Sequence, residues 1–548
     1  MSLSYRERSA CEPGRVPSVG PHLALYTERA WLFAIRNYPR AYPYPKGRDL
    51  IGWGEIMDGH VDNAGNVSIN VDIHCHMFNA TDIPINGFIH HVALRDGLMS
   101  GPLADLAARL VSGAPGYAAD KARLSGILGV AALTAAAPAG APAGAGADLG
   151  AVIEDAFGAE VQQAVSELSD EEVALIRNEA PPGQPALSAA AEAAVPEAIS
   201  LDTPVRFVRW AKLFCQSRVD LATLYYRFFS SEVGLAVPML VDLSSGLNDK
   251  AQTTLAQQVE LFDMLSRASM RGLIPGAPQL RIHPFVGFDP MRALADGAAG
   301  TTVALVKDAV LNKGFIGVKV YPEMGWSPFQ NTPADAGTPE RAQALDAILD
   351  DFFGWCADEQ VPVTAHCNHS NYPSQNAEAA NYGSPDEWLS VLAAHPGLRL
   401  NLGHFGGAYA NPACYTWTWD IARGLATYDG LYADVGCQHV DDAALMQVHF
   451  GVLKEIAGEC PKLADRLMFG TDWYMEAVNP NPNAFLDEYK SRYLAAFGAN
   501  QTAKFMSANA LSFLGFGAGN LTANGQRLRQ RYRDLRVTPP SWLGAGGS

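Results

Sequence analysis

Eight short apolar segments, separated by stretches with helical periodicity, restrict the fold of this chain more than any other feature. Strands that are apolar along their whole length and alternate with amphipathic helices are typical of a parallel sheet covered by helices. Eight such units predict a (β/α)8 TIM barrel of the α/β class. The predicted strands are residues 67–73, 238–243, 281–286, 316–321, 362–366, 398–404, 431–435 and 467–471.

An open, doubly wound α/β sheet is the alternative that fits the same alternation of strands and helices. That fold binds dinucleotides through a Gly-x-Gly-x-x-Gly turn that follows its first strand. No such turn follows any of the eight predicted strands. The sequence therefore favours the barrel over the open sheet.

The predicted barrel spans residues 67–516, with additional segments before, within and after it. Residues 1–66, rich in Pro, Gly and aromatic residues, are predicted to form an N-terminal arm. Residues 77–235 lack a strand-like run, and the capping box at 169–172 opens an apolar helical pattern, so a large, mainly helical insertion after strand 1 is predicted. A disordered spacer is the disfavoured alternative. Residues 517–548 are predicted to be a C-terminal basic tail.

The position of the insertion predicts its role. Because it follows strand 1, it must leave the barrel at the face where the carboxyl ends of the strands open. We therefore expect residues 77–235 to cap this mouth and narrow access to it, or to build a subunit interface.

Composition excludes several classes of function. Of the 548 residues, 48% are hydrophobic and 18% are charged, which describes a globular protein able to bury a substantial core. The formal net charge of −17 argues against nucleic acid or an anionic membrane as a partner. The expected partner is a small-molecule substrate, and a homo-oligomer stays open. Five arginines within 527–536 are a local exception, predicted to be a solvated helix face or a subunit contact.

The eight cysteines and the lack of apolar targeting segments predict a cytoplasmic location. The cysteines form no Cys-x-x-Cys pair and are too sparse for a disulfide framework in a chain of this length. We expect reduced thiols. The first residues lack the apolar core of a signal peptide, and no stretch is apolar enough to span a bilayer.

Two histidines end the first predicted strand, in Asp72-Ile73-His74-Cys75-His76. Side chains alternate between the faces of a strand, so His74 and His76 point the same way. Two neutral imidazoles on one face of a buried strand end form half of a metal site. A single His-x-His motif also arises by chance. Support for a metal site therefore depends on the residues at the ends of the other strands.

The carboxyl ends of barrel strands meet at one mouth, which holds the chemistry in barrel enzymes. Four further predicted strands end in ligand or acid–base side chains, with aromatic residues beside two of them. The side chains are Lys319 and Tyr321 on strand 4, His366 and His369 after strand 5, His404 after strand 6, and Asp472 and Trp473 after strand 8. So many chemically active residues at the ends of separate strands favour a catalytic site over chance.

This ordered set resembles the amidohydrolase superfamily, in its branch of metal-dependent barrel hydrolases and decarboxylases sometimes called amidohydrolase-2. The resemblance covers residues 67–76 and 237–516 and is specific for the superfamily but weak for the substrate. It rests on 72–76, 317–319, His366, 403–404 and 470–473, together with 507–514, which looks like the closing helix of that family.

The resemblance implies that His74, His76, His366 and Asp472 bind one divalent metal ion. Imidazole and carboxylate ligands suit Zn²⁺, which is favoured over Mn²⁺ or Co²⁺, and a second metal is disfavoured. Asp472 would also act as general acid and base. His404 would lie beside the metal, where it polarises the substrate or transfers a proton.

The resemblance also leaves substrate contacts to be assigned. Lys319, His369, Tyr321 and Trp473 are the residues predicted to contact substrate. His369 competes with the favoured His366 for the ligand position. Lys319 is alternatively a carboxylated bridge between two metals, or a structural cation paired with a buried aspartate, Asp242 or Asp434. Asp434 either orients a ligand or pairs with a cation.

These residues leave three functions open. The favoured one is metal-dependent hydrolysis, in which activated water cleaves a C–N or C–O bond of an amide, lactam, lactone or ester in a small organic substrate. The alternative is metal-dependent non-oxidative decarboxylation or hydration of an aromatic or unsaturated carboxylic acid. A non-enzymatic binding module on a decayed barrel is disfavoured, because decay should have removed at least one ligand.

Overall fold

The structure is a computed structural model, and most of the predicted N-terminal arm lies outside the residues that it describes. These residues are 60–61, 67–88, 101–130, 149–178, 203–229, 232–368, 379–407, 414–437, 443–474, 484–517 and 521–544.

The strands of the described residues form parallel sheets, apart from one short antiparallel pair at the start. Their bounds are β1 His60–Val61, β2 Val67–Ser68, β3 Asn70–Cys75, β4 Val233–Pro238, β5 Arg281–Ile282, β6 Phe285–Gly287, β7 Gly317–Val320, β8 Val363–His366, β9 Leu400–Gly403, β10 Leu431–Asp434 and β11 Leu467–Met468. Strands β3, β4 and β5 form one parallel sheet, and β6 to β11 form a second in the order of the chain.

Backbone hydrogen bonds continue from one sheet to the other at both seams. At the first seam, the Ile73 amide on β3 donates to the Phe469 carbonyl that follows β11, at 3.2 Å. At the second, the Leu240 amide beyond β4 donates to the Phe285 carbonyl on β6, at 3.0 Å. The strands therefore follow one another in barrel order, with ladders interrupted at two seams, and the predicted (β/α)8 fold is confirmed.

The second and third barrel strands differ most from the prediction. The second barrel strand is β4, Val233–Pro238, five residues before the predicted 238–243. Residues 233–243 are almost uniformly apolar, so no periodicity marks where the strand begins or ends. The predicted third strand is divided into β5 and β6 at Pro284, which has no amide hydrogen to contribute to a ladder.

The described parts of the region between β3 and β4 are mainly helical, and the single large insertion over 77–235 stays a prediction. The predicted capping box is present, because the Ser169 amide donates to Glu172 Oε2 at 2.8 Å and the Glu172 amide donates to Ser169 Oγ at 3.2 Å. Whether this region covers the mouth of the barrel is a separate question, and that role stays a prediction. Its described helices are Ile85–Phe88, Gly101–Val111, Tyr117–Val130, Leu149–Ser166, Asp170–Asn178, Thr203–Leu213 and Arg218–Phe229.

The second half of the chain alternates helices with the strands of the large sheet. Its α-helices are Leu255–Met270, Pro290–Asp296, Thr301–Asn312, Pro333–Ala336, Pro339–Asp358, Ala379–Tyr382, Pro385–Ala394, Cys414–Thr427, Ala443–Glu459, Ala484–Ala503, Asn509–Leu514 and Ala523–Asp534. Tighter turns occupy Gly297–Ala299, Pro322–Met324, His404–Gly406 and Pro461–Asp465, and a π-helical turn occupies Lys504–Ala508. Among the described residues, no helix is both long and apolar enough to cross a membrane.

A buried arginine joins the helical region to the first strand. The guanidinium of Arg218 donates to Asp82, which follows β3, and to Asp120 on the helix Tyr117–Val130, at 2.8–3.0 Å from Nε and Nη1. All three side chains are almost fully buried. The two carboxylates and the guanidinium satisfy one another, which fixes this helix against the end of the strand.

The basic C-terminal helix packs on the barrel through its own apolar face. Tyr532 belongs to a buried cluster that includes Val71 and Val237 of the first two barrel strands. Arg527 donates to Glu359 at 3.0 Å, and Arg531 to Asp263 at 2.6 Å. Two of the five arginines within 527–536 therefore form ion pairs within the chain.

Candidate metal centre

Three ligand atoms converge where the first and last barrel strands meet. Potential metal-binding atoms of His74, His76 and Asp472 all lie within 4.8 Å of one another. Asp472 Oδ1 is 2.9 Å from His76 Nε2 and 3.7 Å from His74 Nε2. All three residues are buried, with relative exposures of 0%, 4% and 7%. Three of the four predicted ligands are therefore brought together.

The other nitrogen of each imidazole is anchored by an oxygen atom. His74 Nδ1 lies 3.1 Å from each carboxylate oxygen of Asp434 on β10. His76 Nδ1 lies 3.0 Å from the carbonyl oxygen of Met239, which can only accept. Each Nδ1 therefore carries a hydrogen, and each Nε2 is directed towards the cluster, where it is able to supply a lone pair to a metal. This arrangement is the usual support of metal-binding histidines.

Asp434 is the centre of a wider network of hydrogen bonds. Its carboxylate accepts from the Asn401 side-chain amide at 2.6 Å, the His404 backbone amide at 3.2 Å and the Gly436 amide at 2.9 Å. Burial raises the pKa of Asp434, but the nearby His74 imidazole and these donors outweigh burial and hold the pKa below its usual range. Of the two sequence alternatives for Asp434, the geometry matches orientation of a ligand.

The turn that presents Asp472 is held by the first strand. Asp472 has φ +56°, a left-handed conformation, and its amide donates to the His74 carbonyl at 2.7 Å. The Asp72 carboxylate accepts from the Thr471 amide at 3.0 Å and the Thr471 hydroxyl at 2.6 Å, and from the Tyr225 hydroxyl at 2.9 Å. Asp72, which the sequence placed only within a motif, therefore fixes the turn.

His366 and His404 form a second pair of imidazoles next to the cluster. His404 Nδ1 lies 3.0 Å from the Gly436 carbonyl, so this nitrogen carries the hydrogen and Nε2 accepts. His404 Nε2 lies 3.0 Å from His366 Nδ1, which must then donate. The remaining nitrogen of His366, Nε2, keeps a lone pair suited to a metal. His366 is not part of the cluster of His74, His76 and Asp472, so its role as a ligand stays a prediction.

Lys319 contacts the cluster directly. Its Nζ lies 3.1 Å from His74 Nε2 and 5.0 Å from the centroid of the Tyr321 ring. Burial lowers the pKa of Lys319 to about 8, while the charges of Asp434 and Asp472 oppose the shift. The predicted pairing of Lys319 with Asp242 is wrong, because Asp242 instead lies 2.6 Å from Arg292.

The remaining predicted substrate contacts have different surroundings. Tyr321 stacks on His366, with ring centroids 5.0 Å apart. Trp473 is 1% exposed and stacks on Phe228 of the helix Arg218–Phe229, with centroids 5.1 Å apart. That packing gives Trp473 a structural role, and its contact with substrate stays a prediction. His369 lies outside the described residues.

The ionisation of the cluster suits a metal. Burial lowers the pKa of His74 to about 4, and the attraction of Asp434 only partly offsets it, so the imidazole is neutral at pH 7. Burial raises the pKa of Asp472, but hydrogen bonding to His76 and the histidine charges outweigh it, so Asp472 is ionised. Neutral imidazoles and a carboxylate are the forms that bind Zn²⁺. The residues therefore fit a divalent metal.

One acidic residue near the site was not predicted. Glu323 lies in the turn Pro322–Met324 directly after β7 and is fully buried. Its position two residues beyond Tyr321 at a strand end was the only sequence signal. The residues that bury it, such as Gly383, are distant in the chain.

Comparison with known proteins gives a family match for part of the chain. Residues 284–516, which include Lys319, His366, His404 and Asp472, match the amidohydrolase family. A search of curated proteins found no match.

Solved structures that match part of the chain share little sequence with it. They include an uncharacterised TIM-barrel protein from Bordetella bronchiseptica, 17% identical, covering 53% of this chain and 83% of that chain with a TM-score of 0.33. An amidohydrolase from Burkholderia multivorans with bound zinc is 13% identical, covering 52% and 83%, with a TM-score of 0.32. Amidohydrolase 2 from Bifidobacterium longum subsp. infantis is 13% identical, covering 55% and 87%, with a TM-score of 0.30.

Proposed function

We propose that this chain, a hydrolase-like enzyme that matches the amidohydrolase family over residues 284–516, is a metal-dependent hydrolase. Members of that family are hydrolases or decarboxylases. The proposed reaction is cleavage of a C–N or C–O bond by water in a small amide, lactam, lactone or ester. The proposed cofactor is one divalent metal ion, with Zn²⁺ favoured.

The observation that carries this proposal is the convergence of His74, His76 and Asp472, with both imidazoles anchored through Nδ1. Distant segments supply these groups, and burial removes them from competing water. A structural ion pair between Asp472 and His76 would not require a second imidazole, neutral at pH 7, with its Nε2 directed at the same carboxylate. A divalent metal bound here supplies a Lewis acid that lowers the pKa of water and polarises a substrate carbonyl.

The side chains around the cluster support the acid–base steps of hydrolysis. The ionised Asp472 carboxylate is able to take a proton from the attacking water and return it to the leaving group. His404 orients His366 through the contact of Nε2 with Nδ1. The Lys319 ammonium is the buried cation closest to the cluster and offers a donor to developing negative charge on the substrate.

Metal analysis of the full-length protein tests the site. We expect about one equivalent of Zn²⁺ per chain in the wild type and loss of most of it in His76→Ala, since one of three converging ligands is removed. His449→Ala is the matched control, because this buried histidine contacts Tyr489 instead of the cluster. Two equivalents of Zn²⁺ in the wild type would favour the alternative in which a carboxylated Lys319 bridges two metals. Equal metal content in the wild type and His76→Ala would refute the site.

Turnover tests the reaction class. The zinc-loaded protein is assayed on a panel of small esters, lactones, amides and lactams, with the hydrolysis products measured by chromatography. We expect hydrolysis of at least one member by the wild type and none above background by His76→Ala. A metal-loaded wild type that hydrolyses no member of the panel would count against the proposal.

Decarboxylation is the second candidate, and one observation favours it. The buried Lys319 ammonium beside His74 would bind a substrate carboxylate as well as a developing oxyanion. The same zinc-loaded protein is therefore offered aromatic and unsaturated carboxylic acids, and release of CO₂ is measured. CO₂ release without activity on the hydrolysis panel would replace the first proposal with this one.

A further inference from the structure

Glu323 is a buried acidic residue to which the proposed hydrolysis gives no role. This residue is 0% exposed. Neither of its carboxyl oxygens has a hydrogen-bond partner among the described residues. Buried polar side chains in native proteins are almost always hydrogen-bonded, so each exception needs an explanation.

Burial favours the neutral form of this carboxyl. An ionised carboxylate without donors pays the full cost of leaving water, which a protonated carboxylic acid largely avoids. The pKa of Glu323 is accordingly raised well above its usual range by burial, and the backbone amides of Glu323 and Asn368 and the charge of Lys319 oppose the shift only in part. Lys319 is itself directed at His74 Nε2. Burial and the direction of this shift both favour the protonated carboxylic acid, which has a hydrogen to donate.

The surroundings of Glu323 are built to fit the carboxyl. A Cβ added at Gly383, in the connection after β8, would overlap Glu323 Oε1, so glycine leaves the room that the carboxyl occupies. The backbone of Asn368 approaches the same place. A side chain with so little space is held in one orientation, although it makes no hydrogen bond to the described residues.

Glu323 belongs to the Lys319 side of the candidate site. Lys319 and Tyr321 precede it on the same strand end, and Tyr321 stacks on His366. Glu323 is near enough to Lys319 and Tyr321 for its ionised form to interact with both side chains. Its carboxyl is therefore close to the predicted substrate contacts, whereas Asp472 lies with the histidine cluster.

We propose that Glu323 is a specificity-determining residue that donates a hydrogen bond from its carboxyl to an acceptor oxygen or nitrogen of the bound substrate. This inference rests on the proposed function, since it takes the cluster of His74, His76 and Asp472 to be where substrate reacts. Glu323 forms no covalent bond in this role. A substrate that lacks an acceptor at this place would leave the buried acid unpaired and bind less well.

Infrared spectroscopy tests the resting state of Glu323. The spectrum of the full-length wild type at pH 7, minus that of Glu323→Gln, should contain the carbonyl band of a protonated carboxylic acid. Glu359→Gln is the control, because Glu359 is partly exposed and paired with Arg527, so that its loss should remove a carboxylate band. A carboxylate band in the Glu323 difference spectrum would overturn the proposal.

Two further variants test the contact with substrate. Glu323→Gln keeps a donor of the same shape, whereas Glu323→Met fills the space without one. For the best substrate of the hydrolysis panel, we expect kcat/KM to fall about tenfold or more in Glu323→Met, the effect of losing one hydrogen bond, and only a few-fold in Glu323→Gln. Equal kcat/KM in Glu323→Met and wild type would overturn the proposal.

Stability and metal content separate this inference from the proposed function. Because the resting acid has no partner to lose, Glu323→Met should unfold at the same or a higher temperature than wild type and bind the same amount of zinc. A marked fall in unfolding temperature would mean that Glu323 has a structural role, which would overturn the inference. Failure of hydrolysis by the wild type would instead refute the proposed function, while the infrared and unfolding results still decide the state of Glu323.

Discussion

His74 Nδ1 and the carboxylate of Asp434 lie within 3.1 Å of each other, at both oxygen atoms. This contact crosses the barrel interior, from the first strand to the seventh in barrel order. It assigns the hydrogen of His74 to Nδ1 and the lone pair to Nε2. The ability of His74 to bind a metal is therefore set by a residue that does not itself belong to the cluster.

Substitution of Asp434 by Asn should weaken metal binding without unfolding the barrel. The amide keeps the shape of the carboxylate but removes the charge that fixes and polarises His74. We expect a 10- to 100-fold loss of Zn²⁺ affinity, measured by competition with a chromophoric chelator. Asp242→Asn is the control, since this buried carboxylate pairs with Arg292, and it should bind zinc like the wild type. Equal affinities for all three proteins would show that His74 needs no such support.

Removal of the Thr471 hydroxyl should loosen the turn that presents Asp472. Thr471→Val keeps the side-chain shape, but Asp72 loses a donor at 2.6 Å and stays buried, which costs about 1–3 kcal/mol in the free energy of unfolding. Zinc affinity should fall as well. Thr471→Ser retains the hydroxyl and should stay close to wild type in both measurements, made by chemical denaturation and chelator competition. Identical behaviour of the two variants would exclude a role for this hydrogen bond.

The buried ion pairs of Arg218 should dominate the stability of the region between β3 and β4. Arg218→Met leaves Asp82 and Asp120 buried without their partner, and we expect a loss of about 3–5 kcal/mol in the free energy of unfolding. Arg123 pairs with Asp220 at the surface, so Arg123→Met should cost only about 0–1 kcal/mol. Denaturation with guanidinium chloride measures both variants. A loss below 1 kcal/mol for Arg218→Met would contradict this assignment.

Acid should destabilise the protein partly through His283. Burial lowers the pKa of this histidine to about 3, below the value of about 6.5 expected in the unfolded chain. The unfolded state therefore binds more protons as pH falls below 6.5, and stability declines by about 1.4 kcal/mol per pH unit for this group until about pH 3. His283→Gln should have a shallower loss of stability between pH 6.5 and 5.

Ser266→Ala provides the control for this pH effect. Ser266 Oγ lies 3.3 Å from His283 Nδ1, so its removal disturbs the same ring without removing the titrating group. Free energies of unfolding at pH 6.5 and 5 should therefore differ as in the wild type. The idea fails if His283→Gln loses as much stability over this interval as the wild type and Ser266→Ala.

Local sequence was sufficient to predict the parts of the site that depend on a single strand end. His74 and His76 are fixed by the two-residue period of β3, and Asp472 follows a short apolar strand. Barrel order then brings the first and last strands together, so these three side chains converge. The shifted β4 was not predictable in the same way, because a uniformly apolar run contains no signal for its own ends.

Residues whose roles depend on distant partners could not be assigned from sequence. Glu323 looks like an ordinary polar residue of a turn, and only the approach of Gly383 makes it a buried acid. Trp473 looked like a pocket residue, but its packing against Phe228 is decided by a helix more than two hundred residues earlier in the chain. Such contacts are properties of tertiary packing and leave no local pattern.

The link between Asp72 and Thr471 joins residues 399 positions apart. During synthesis on the ribosome, the histidines of β3 emerge long before the aspartate that completes their cluster. The growing chain therefore cannot assemble the pocket until the last barrel strand has been made. Acquisition of the metal should follow synthesis of nearly the whole protein, so that cation uptake would report on completion of the fold.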